Sequence, residues 1–286
     1  MIVITGATGH VGRPLVEQLD ARGAALRVLV RDPARATGLP AAAERVVGDL
    51  MDPASLAGAF AGAERLYLLV PGIAVEPVAG ILDAAAEAGI EHIVYLSSYV
   101  VAVADPVPAM GRWHAERERL IRASGIPFTF LRPSGFMTNA LDWLPTIRGD
   151  GTVLDPVGPG RAAPIDPADI AEVATATLTA GDHAGREYVL TGGEALTVAE
   201  QVAILSAAIG RDLTVRSAAT PEDAVRFRYP DGAPPALADA LVEGLRLMRA
   251  DTVGVLTDVV RDLLGRPPRT FADWCARNAR AFAAAA

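Results

Sequence analysis

Three glycines spaced three residues apart, Gly6, Gly9 and Gly12, constrain the fold of this chain more than any other feature. They follow an apolar segment at residues 1–5 and open an amphipathic stretch at residues 10–22. Glycine is required where the backbone turns with a positive φ angle or approaches another group closely. The spacing therefore predicts a tight junction in which a buried strand turns directly into a helix.

After this junction, short apolar runs alternate with alanine-rich amphipathic stretches, a pattern typical of βαβ units and a parallel sheet. The predicted fold class is α/β, with a Rossmann-type, doubly wound parallel sheet. We expect strands at about 1–5, 26–30, 44–47, 65–70, 92–97 and 127–132, and helices near 10–22, 53–60, 74–88 and 111–124.

Beyond Arg132-Pro133 the alternation gives way to a stretch rich in glycine and proline. We expect the regular sheet to end there. A first domain is predicted over residues 1–135 and a smaller, mostly helical C-terminal substrate or cap region over 136–286, with segment 169–190 packing back on the first domain. The elements expected after the boundary are a helix at 169–179, a strand at 187–190, and helices near 197–209, 221–228, 236–248 and 270–283.

The glycine loop predicts a binding site for the pyrophosphate of a nicotinamide dinucleotide. A helix that starts directly after the loop offers free N–H groups and the positive end of its dipole to phosphates. In open α/β sheets the ligand lies beyond the carboxyl ends of the strands, so a cap placed there would close a substrate cleft. The loop residues expected to bind the cofactor are Gly6, Thr8, Gly9, His10, Val11 and Gly12.

The end of the second strand indicates which dinucleotide binds. Arg31 stands where a guanidinium can bind a 2′-phosphate, and Arg35 follows one helical turn later. NADP(H) is therefore predicted to be preferred over NAD(H). Two alternatives stay open, since the adjacent Asp32 can contact a ribose hydroxyl and the arginines also fit an ordinary solvated loop.

Later strand ends complete the predicted cofactor set. Asp49 and Leu50, after the third strand, are expected beside the adenine. Val70 and Pro71, after the fourth strand, are expected along the pyrophosphate and the nicotinamide ribose. Ser97, at the end of the fifth strand, is the last member. Asp49 also fits the N-cap of a local turn.

Composition excludes several classes of function. The net charge is −8, so the chain lacks the basic surface that direct nucleic-acid binding requires. All 26 basic residues are arginines, which rules out a Tyr-x-x-x-Lys catalytic pair and a lysine Schiff base. A single cysteine, Cys275, and four unclustered histidines predict no metal site.

Targeting signals are not evident in the sequence. The chain begins directly on the first strand, and its apolar runs are far shorter than a membrane-spanning helix. We therefore expect a cytoplasmic protein with no membrane partner. The alanine-rich end, residues 281–286, is expected to be a frayed helix.

Eight segments follow one another in a characteristic order: Gly6-Ala7-Thr8-Gly9-His10-Val11-Gly12, Val30-Arg31-Asp32-Pro33, Gly48-Asp49-Leu50, Tyr95-Leu96-Ser97-Ser98, Leu131-Arg132-Pro133, Pro164-Ile165-Asp166, Tyr188-Val189-Leu190-Thr191-Gly192 and Gly265-Arg266-Pro267-Pro268. In that order they resemble the NmrA-like atypical short-chain dehydrogenases over nearly the whole chain, most of all the bacterial type-2 NAD(P)H:quinone oxidoreductases. The resemblance implies quinone reduction by NADPH. The same family includes redox sensors that bind the dinucleotide and control a partner without consuming it.

Two residues are predicted to take part in catalysis. His114 matches a histidine that NmrA-like proteins often show at this point, and it is expected to orient the nicotinamide ribose or to donate a proton. Tyr99, after the fifth strand, is a second candidate acid or hydrogen-bond donor. Both residues also fit ordinary packing. Arg119 is expected to form a surface pair with Glu116 or Glu118.

Just past the sixth strand the resemblance places the start of the substrate loop. Phe136 and Met137 are predicted to wall the nicotinamide, Asn139 to supply a polar contact, and Trp143 to line a pocket for an apolar ring. Aromatic and methionine residues at such spacing also fit a protein core. Trp274, in the last helix, is expected to be core.

The sequence therefore predicts an NADPH-dependent oxidoreductase that reduces a quinone-like or conjugated carbonyl acceptor by hydride transfer. The expected partner is a small aromatic or quinone-like molecule, and the chain is a monomer or a homodimer. One alternative is a non-catalytic regulatory protein that senses NADP(H). Another is a tailoring reductase of secondary metabolism that acts on a polycyclic substrate.

Overall fold

The computed structural model describes residues 1–283. The side chain of Arg35 and residues 284–286 of the expected frayed helix lie outside the described residues. The chain divides into two compact units, which we describe separately. The first unit comprises Met1–Ser98, Arg112–Pro133 and Pro167–Val189, and the second comprises Tyr99–Gly111, Ser134–Asp166 and the chain from Leu190 onward.

Nine strands form two sheets within residues 1–283. In chain order they are β1 (Ile2–Ile4), β2 (Leu26–Val30), β3 (Glu44–Val47), β4 (Arg65–Leu68), β5 (His92–Leu96), β6 (Phe128–Pro133), β7 (Thr152–Asp155), β8 (Arg186–Leu190) and β9 (Thr214–Ser217). The large sheet has the order β3-β2-β1-β4-β5-β6-β8, and β7 pairs with β9 in a small sheet.

Twelve α-helices lie within the described residues. They are α1 (Gly12–Ala21), α2 (Ala57–Phe60), α3 (Pro77–Glu87), α4 (Val100–Val103), α5 (Ala109–Ala123), α6 (Leu144–Gly149), α7 (Pro167–Thr179), α8 (Val198–Ile209), α9 (Pro221–Arg228), α10 (Pro235–Arg249), α11 (Val259–Leu264) and α12 (Phe271–Phe282).

The large sheet confirms the predicted Rossmann-type α/β fold. Strands β1, β2, β4, β5 and β6 each pair in parallel with their neighbours. All residues of β1, β2 and β5 are buried, which agrees with their nearly continuous apolar sequence, because helices cover both faces of such a sheet.

One expectation about the sheet is wrong. The regular sheet does not end near residue 135, because β8 lies beside β6 as a seventh strand. The chain reaches β8 after the long helix α7, and a helical crossover of this kind is the usual way to add a parallel strand. The predicted helix at 53–60 is also divided, into a 3₁₀ turn at Pro53–Ser55 and the short helix α2.

The second unit is mostly helical, and it also contains the small β7–β9 sheet, which the sequence did not predict. Thr152 pairs with Thr214, so the partners lie about sixty residues apart in sequence. Its core includes Phe271, stacked on Trp274 with ring centroids 5.7 Å apart, and Phe282 packs edge-on against the same indole. Trp274 is 2% exposed, as expected for a core residue.

Candidate active site

The junction between β1 and α1 depends on its glycines. Gly6 has a φ angle of +66°, and its carbonyl oxygen accepts a hydrogen bond of 3.0 Å from the N–H of Gly9. A Cβ atom on Gly12 would lie 2.1 Å from that same oxygen, and one on Gly9 would lie 3.3 Å from it. The first turn of α1 therefore sits directly against the end of β1, as the spacing predicts.

The same junction leaves the start of α1 open to an anion. Among the described residues, no side chain caps the helix and no acidic residue lies in its first turn. Thr8, Gly9 and His10 are exposed, whereas Ala7 and Val11 are buried. N–H groups at such a helix start bind phosphate well, so these residues fit the pyrophosphate of a dinucleotide.

Strand order reverses beside this junction, because β1 lies between β2 and β4. Thr5 joins the carboxyl ends of β1 and β4, since its hydroxyl oxygen accepts a 2.7 Å hydrogen bond from the N–H of Leu69. A reversal of strand order is where open α/β sheets bind their ligands. The sequence patterns did not single out Thr5.

The loop after β2 carries the residues predicted to recognise the adenosine ribose. Arg31 is exposed. The Asp32 carboxylate accepts a 2.9 Å hydrogen bond from the N–H of Ala34 and so caps the next turn. Arg13, which was not predicted, extends from α1 and donates a 3.2 Å hydrogen bond to the carbonyl oxygen of Thr37.

The residues predicted after β3 and β4 are placed as follows. The Asp49 carboxylate accepts a 3.0 Å hydrogen bond from the N–H of Met51, which is the local turn that the sequence left open as an alternative. Leu50 is 6% exposed and packs in the core. Val70 is also buried, and Pro71 is exposed. Their contacts with a cofactor stay predictions.

A buried ionic network lies beneath the ends of β5 and β6. Glu118 is fully buried, and Arg132 donates to both of its carboxylate oxygens at 2.9 and 2.6 Å. The hydroxyl of Ser97 donates a 2.6 Å hydrogen bond to the same carboxylate. Arg132 also pairs with Glu187 at 2.7 Å. Ser97 thus contacts Glu118, and its predicted role in cofactor binding is untested.

His114 lies on α5, the helix that also carries Glu118, and forms a hydrogen bond with Tyr95. The distance from its Nδ1 atom to the phenol oxygen is 3.0 Å. Burial, followed by the charge of Arg117, lowers the pKa of His114 from its ordinary value of 6.5 to about 4. Burial raises the pKa of Tyr95 to about 12. His114 is therefore a neutral imidazole near pH 7, able to donate a hydrogen bond but not to act there as a charged acid.

Tyr99, the second predicted catalytic residue, and the predicted substrate residues all belong to the second unit. Tyr99 precedes α4 and is half-buried, and burial raises its pKa. Phe136 and Trp143 are half-buried and Asn139 is exposed. Met137 is 2% exposed and belongs to the core of this unit.

Comparison with known proteins decides the family. A family model described as NAD(P)H-binding matches residues 6–180 of the chain. The chain belongs to the NAD(P)H-binding family. The match begins at the first glycine of the loop and includes α1 and helix α5.

Two similar relatives of this NAD(P)H-binding protein are reductases. It is 38% identical over 283 residues to a (4-alkanoyl-5-oxo-2,5-dihydrofuran-3-yl)methyl phosphate reductase of Streptomyces griseus, and 99% of each chain is covered. It is 36% identical over 288 residues to an NAD(P)H azoreductase of Xenophilus azovorans, and 100% of each chain is covered.

A solved structure shows the same fold. An NADPH-dependent quinone oxidoreductase of Escherichia coli, complexed with NADPH, superposes with a TM-score of 0.83 at 27% identity, over 97% of this chain and 99% of that one. The predicted family and the predicted oxidoreductase class are therefore confirmed.

The sequence predicted the position of only some charged residues of α5 in this NAD(P)H-binding protein. Arg119 pairs on the surface with Glu116 at 2.7 Å, as expected. Arg117 and Glu118, in contrast, are buried. Arg117 was not singled out, and Glu118 was considered only as a surface partner of Arg119. Ile121 could have identified them, because residues three, four and seven positions before an apolar residue share its helix face.

Two negative findings apply to the part of the chain that the structure describes. None of its helices is both long enough and apolar enough to cross a membrane. Its His, Cys, Asp and Glu side chains include no group of three that could hold a metal ion.

Proposed function

We propose that this protein is an NADPH-dependent reductase of electron-poor conjugated acceptors, such as quinones, azo compounds and α,β-unsaturated lactones. The observation that carries the proposal is the state of His114, a neutral imidazole hydrogen-bonded to Tyr95 in a chain without lysine. Reduction of an isolated carbonyl places negative charge on one oxygen and needs a strong proton donor. A conjugated acceptor spreads that charge, so a hydrogen bond from His114 and a proton from water are sufficient.

The activities for which these relatives are named support this class of acceptor. One acts on a furanone whose ring carbonyl is conjugated with a double bond, and another is an azoreductase. The structural relative is a quinone oxidoreductase. These three kinds of acceptor share an electron-poor double bond in conjugation, to which a hydride can add.

The residues of the first unit divide the work of binding and orientation. The glycine loop and the start of α1 hold the pyrophosphate, and Val70 and Pro71 lie at the next strand end. The dinucleotide, when bound, supplies the hydride. His114 donates a hydrogen bond to the acceptor, while Tyr95 holds its ring in place. The catalytic role of Tyr99 and the substrate contacts of Phe136, Met137, Asn139 and Trp143 stay predictions from the sequence.

A preference for NADP(H) over NAD(H) is part of the proposal. Arg31 is exposed at the end of β2, and Arg13 reaches the same loop at Thr37. The Asp32 carboxylate, which would repel a 2′-phosphate or bind a ribose hydroxyl, is already engaged with the N–H of Ala34. Guanidinium groups form strong charge-assisted bonds with phosphate. Because the acceptors are small molecules and NADPH is an intracellular reductant, we infer a cytoplasmic location.

The first experiment follows NADPH and NADH oxidation at the nicotinamide absorbance with a benzoquinone, an aryl azo dye, an α,β-unsaturated lactone and an unconjugated ketone. We expect the conjugated acceptors to be reduced and the unconjugated ketone to be inert. Equal reduction of the ketone would contradict the proposed acceptor class. Tight NADPH binding with no oxidation by any acceptor would favour the sensor over the enzyme.

The same assay tests the cofactor preference. We expect Arg31→Ala to raise the KM for NADPH by about tenfold to a hundredfold, because a charge-assisted bond to phosphate is lost, and to leave the KM for NADH unchanged. Arg22→Ala, which removes an exposed arginine at the opposite end of α1, is the matched control. Equal effects of Arg31→Ala on both cofactors would refute the preference.

A further inference from the structure

The face of α5 that packs in the first unit is unusual, because it carries charged and polar groups. His114, Arg117 and Glu118 are spaced so that they share one face of the helix. Arg117 is 1% exposed and Glu118 is fully buried. A buried guanidinium is costly unless its N–H groups are hydrogen-bonded, so the partners of Arg117 reveal what its burial achieves.

Arg117 binds the backbone of the loop between β4 and α3, which we call the 70–74 loop (Val70 to Ala74). Its Nε and Nη2 atoms donate to the carbonyl oxygen of Ala74 at 3.0 and 2.7 Å. Nη2 also donates to Gly72 at 2.8 Å, and Nη1 donates to Val70 at 3.3 Å. One side chain thus fixes three carbonyl groups of a loop that has no helix or strand of its own.

The same guanidinium acts on Tyr95 and His114. Its charge favours ionisation of the Tyr95 phenol, but burial is the larger effect and raises the pKa of that phenol to about 12. The phenol therefore keeps its hydrogen near pH 7, and Nδ1 of His114, 3.0 Å from the phenol oxygen, is placed to accept it. A neutral imidazole whose Nδ1 accepts a hydrogen bond carries its proton on Nε2.

We propose that Arg117 is a positioning residue of the reductase site, which holds the 70–74 loop in the conformation that receives the dinucleotide, while the neighbouring Tyr95 fixes His114 as an Nε2–H donor. The inference rests on the proposed function for the use of the site. The hydrogen bonds to the loop and the His114 tautomer do not depend on that function.

Wild-type protein provides the first test. Nitrogen-15 NMR of the histidine side chains distinguishes the two neutral tautomers, and His114→Gln assigns the signal. We expect the Nε2–H form at pH 7. An Nδ1–H tautomer at His114 would overturn the proposal without any variant of Arg117.

Two substitutions then separate the charge of Arg117 from its hydrogen-bonding geometry. Arg117→Lys keeps the charge but cannot bind three carbonyl groups. We expect faster amide hydrogen exchange in residues 70–74 and about tenfold weaker NADPH binding by titration calorimetry, with the His114 tautomer unchanged. Arg117→Met removes the charge as well, and we expect the pKa of His114 to rise in addition. Arg119→Met, which breaks only a surface pair, is the control.

The outcomes distinguish this inference from the proposed function. If wild-type protein does not bind NADPH, the proposed function is contradicted. Amide hydrogen exchange in the 70–74 loop would still test whether Arg117 holds that loop. If wild-type protein binds NADPH, and Arg117→Lys has the same loop hydrogen exchange and the same NADPH affinity, only the role of Arg117 is overturned. If Arg117→Met does not fold, Arg117→Lys and the wild-type tautomer still decide.

Discussion

Gly12 is the glycine of the nucleotide loop at which an added side chain would have the least room. We expect Gly12→Ala to abolish measurable NADPH binding and to lower the free energy of unfolding by about 1–3 kcal/mol, because the added Cβ would lie 2.1 Å from the Gly6 carbonyl oxygen and α1 must shift. NADPH titration and urea denaturation measure the two effects. Gly58→Ala, at an exposed helical glycine where a Cβ meets nothing within 4 Å, is the control and is expected to be neutral or slightly stabilising. If Gly12→Ala bound NADPH as tightly as wild type, the assignment of this loop to the pyrophosphate would be contradicted.

His114 gives a prediction about the pH dependence of the rate. Because burial and Arg117 hold its pKa at about 4, the imidazole is neutral from pH 8 down to pH 6 and gains a proton only in more acidic solution. We expect kcat to show no titration near 6.5, and His114→Ala to lower kcat by roughly tenfold or more with the affinity for NADPH little changed. A rate that rises as pH falls through 6.5, and does so only when His114 is present, would instead identify an imidazolium acid.

At the scale of elements, a buried ion pair joins α5 to β6, whereas most helices pack through apolar side chains. Glu118 is fully buried and holds Arg132 and Ser97. Removing the charge leaves Arg132 partly uncompensated, so we expect Glu118→Gln to lower the free energy of unfolding by about 3 kcal/mol at pH 7, measured in urea. Glu116→Gln breaks the exposed pair with Arg119 and should leave the urea midpoint unchanged. Similar midpoints for the two variants would show that the buried network is not needed for stability.

The element scale also shows what the sequence could predict. Strands β1 to β6 and helices α1 and α3 have clear apolar patterns, and α8, α9 and α12 begin at capping boxes such as Thr197 with Glu200. The buried face of α5 was not predicted, because Arg117 and Glu118 have the sequence character of exposed residues. Strands β7 and β9 have only four residues each, and their partners are distant in the chain, so no local pattern could reveal them.

For the candidate site, residues that act through the backbone were easier to predict than residues that act through a side-chain network. The glycine loop follows from spacing alone, because Gly6 and Gly12 meet a local steric requirement. Tyr95 and Arg117 act through contacts with His114 and with the 70–74 loop, which is more than forty positions from Arg117. Such contacts depend on the folded sheet and leave no short-range pattern.

For the whole molecule, buried histidines set the acid limit of stability. His92 is 8% exposed and its Nε2 atom lies 2.9 Å from the Thr129 hydroxyl. Burial first, then the charges of Arg65 and His183, lower its pKa to about 4. His114 has a pKa of about 4 as well. Both imidazoles therefore hold a proton less tightly in the folded protein than in the unfolded chain, where the pKa is near 6.5.

This difference fixes the sign of the pH dependence. The unfolded chain binds more protons than the folded chain between pH 6.5 and 4, so acid favours unfolding in this window. We expect the free energy of unfolding to be constant above pH 7 and to fall between pH 6.5 and 5, with at most about 3 kcal/mol from each histidine by pH 4. Ordinary carboxyl groups have pKa values of about 4, below the window from pH 6.5 to 5, so the predicted change in that window is assigned to the histidines. Urea denaturation at half-unit steps of pH measures it, and His92→Gln should reduce the loss between pH 6.5 and 5 by about half. An unchanged slope in that variant would show that His92 does not limit acid stability, and the loss would then belong to His114 alone.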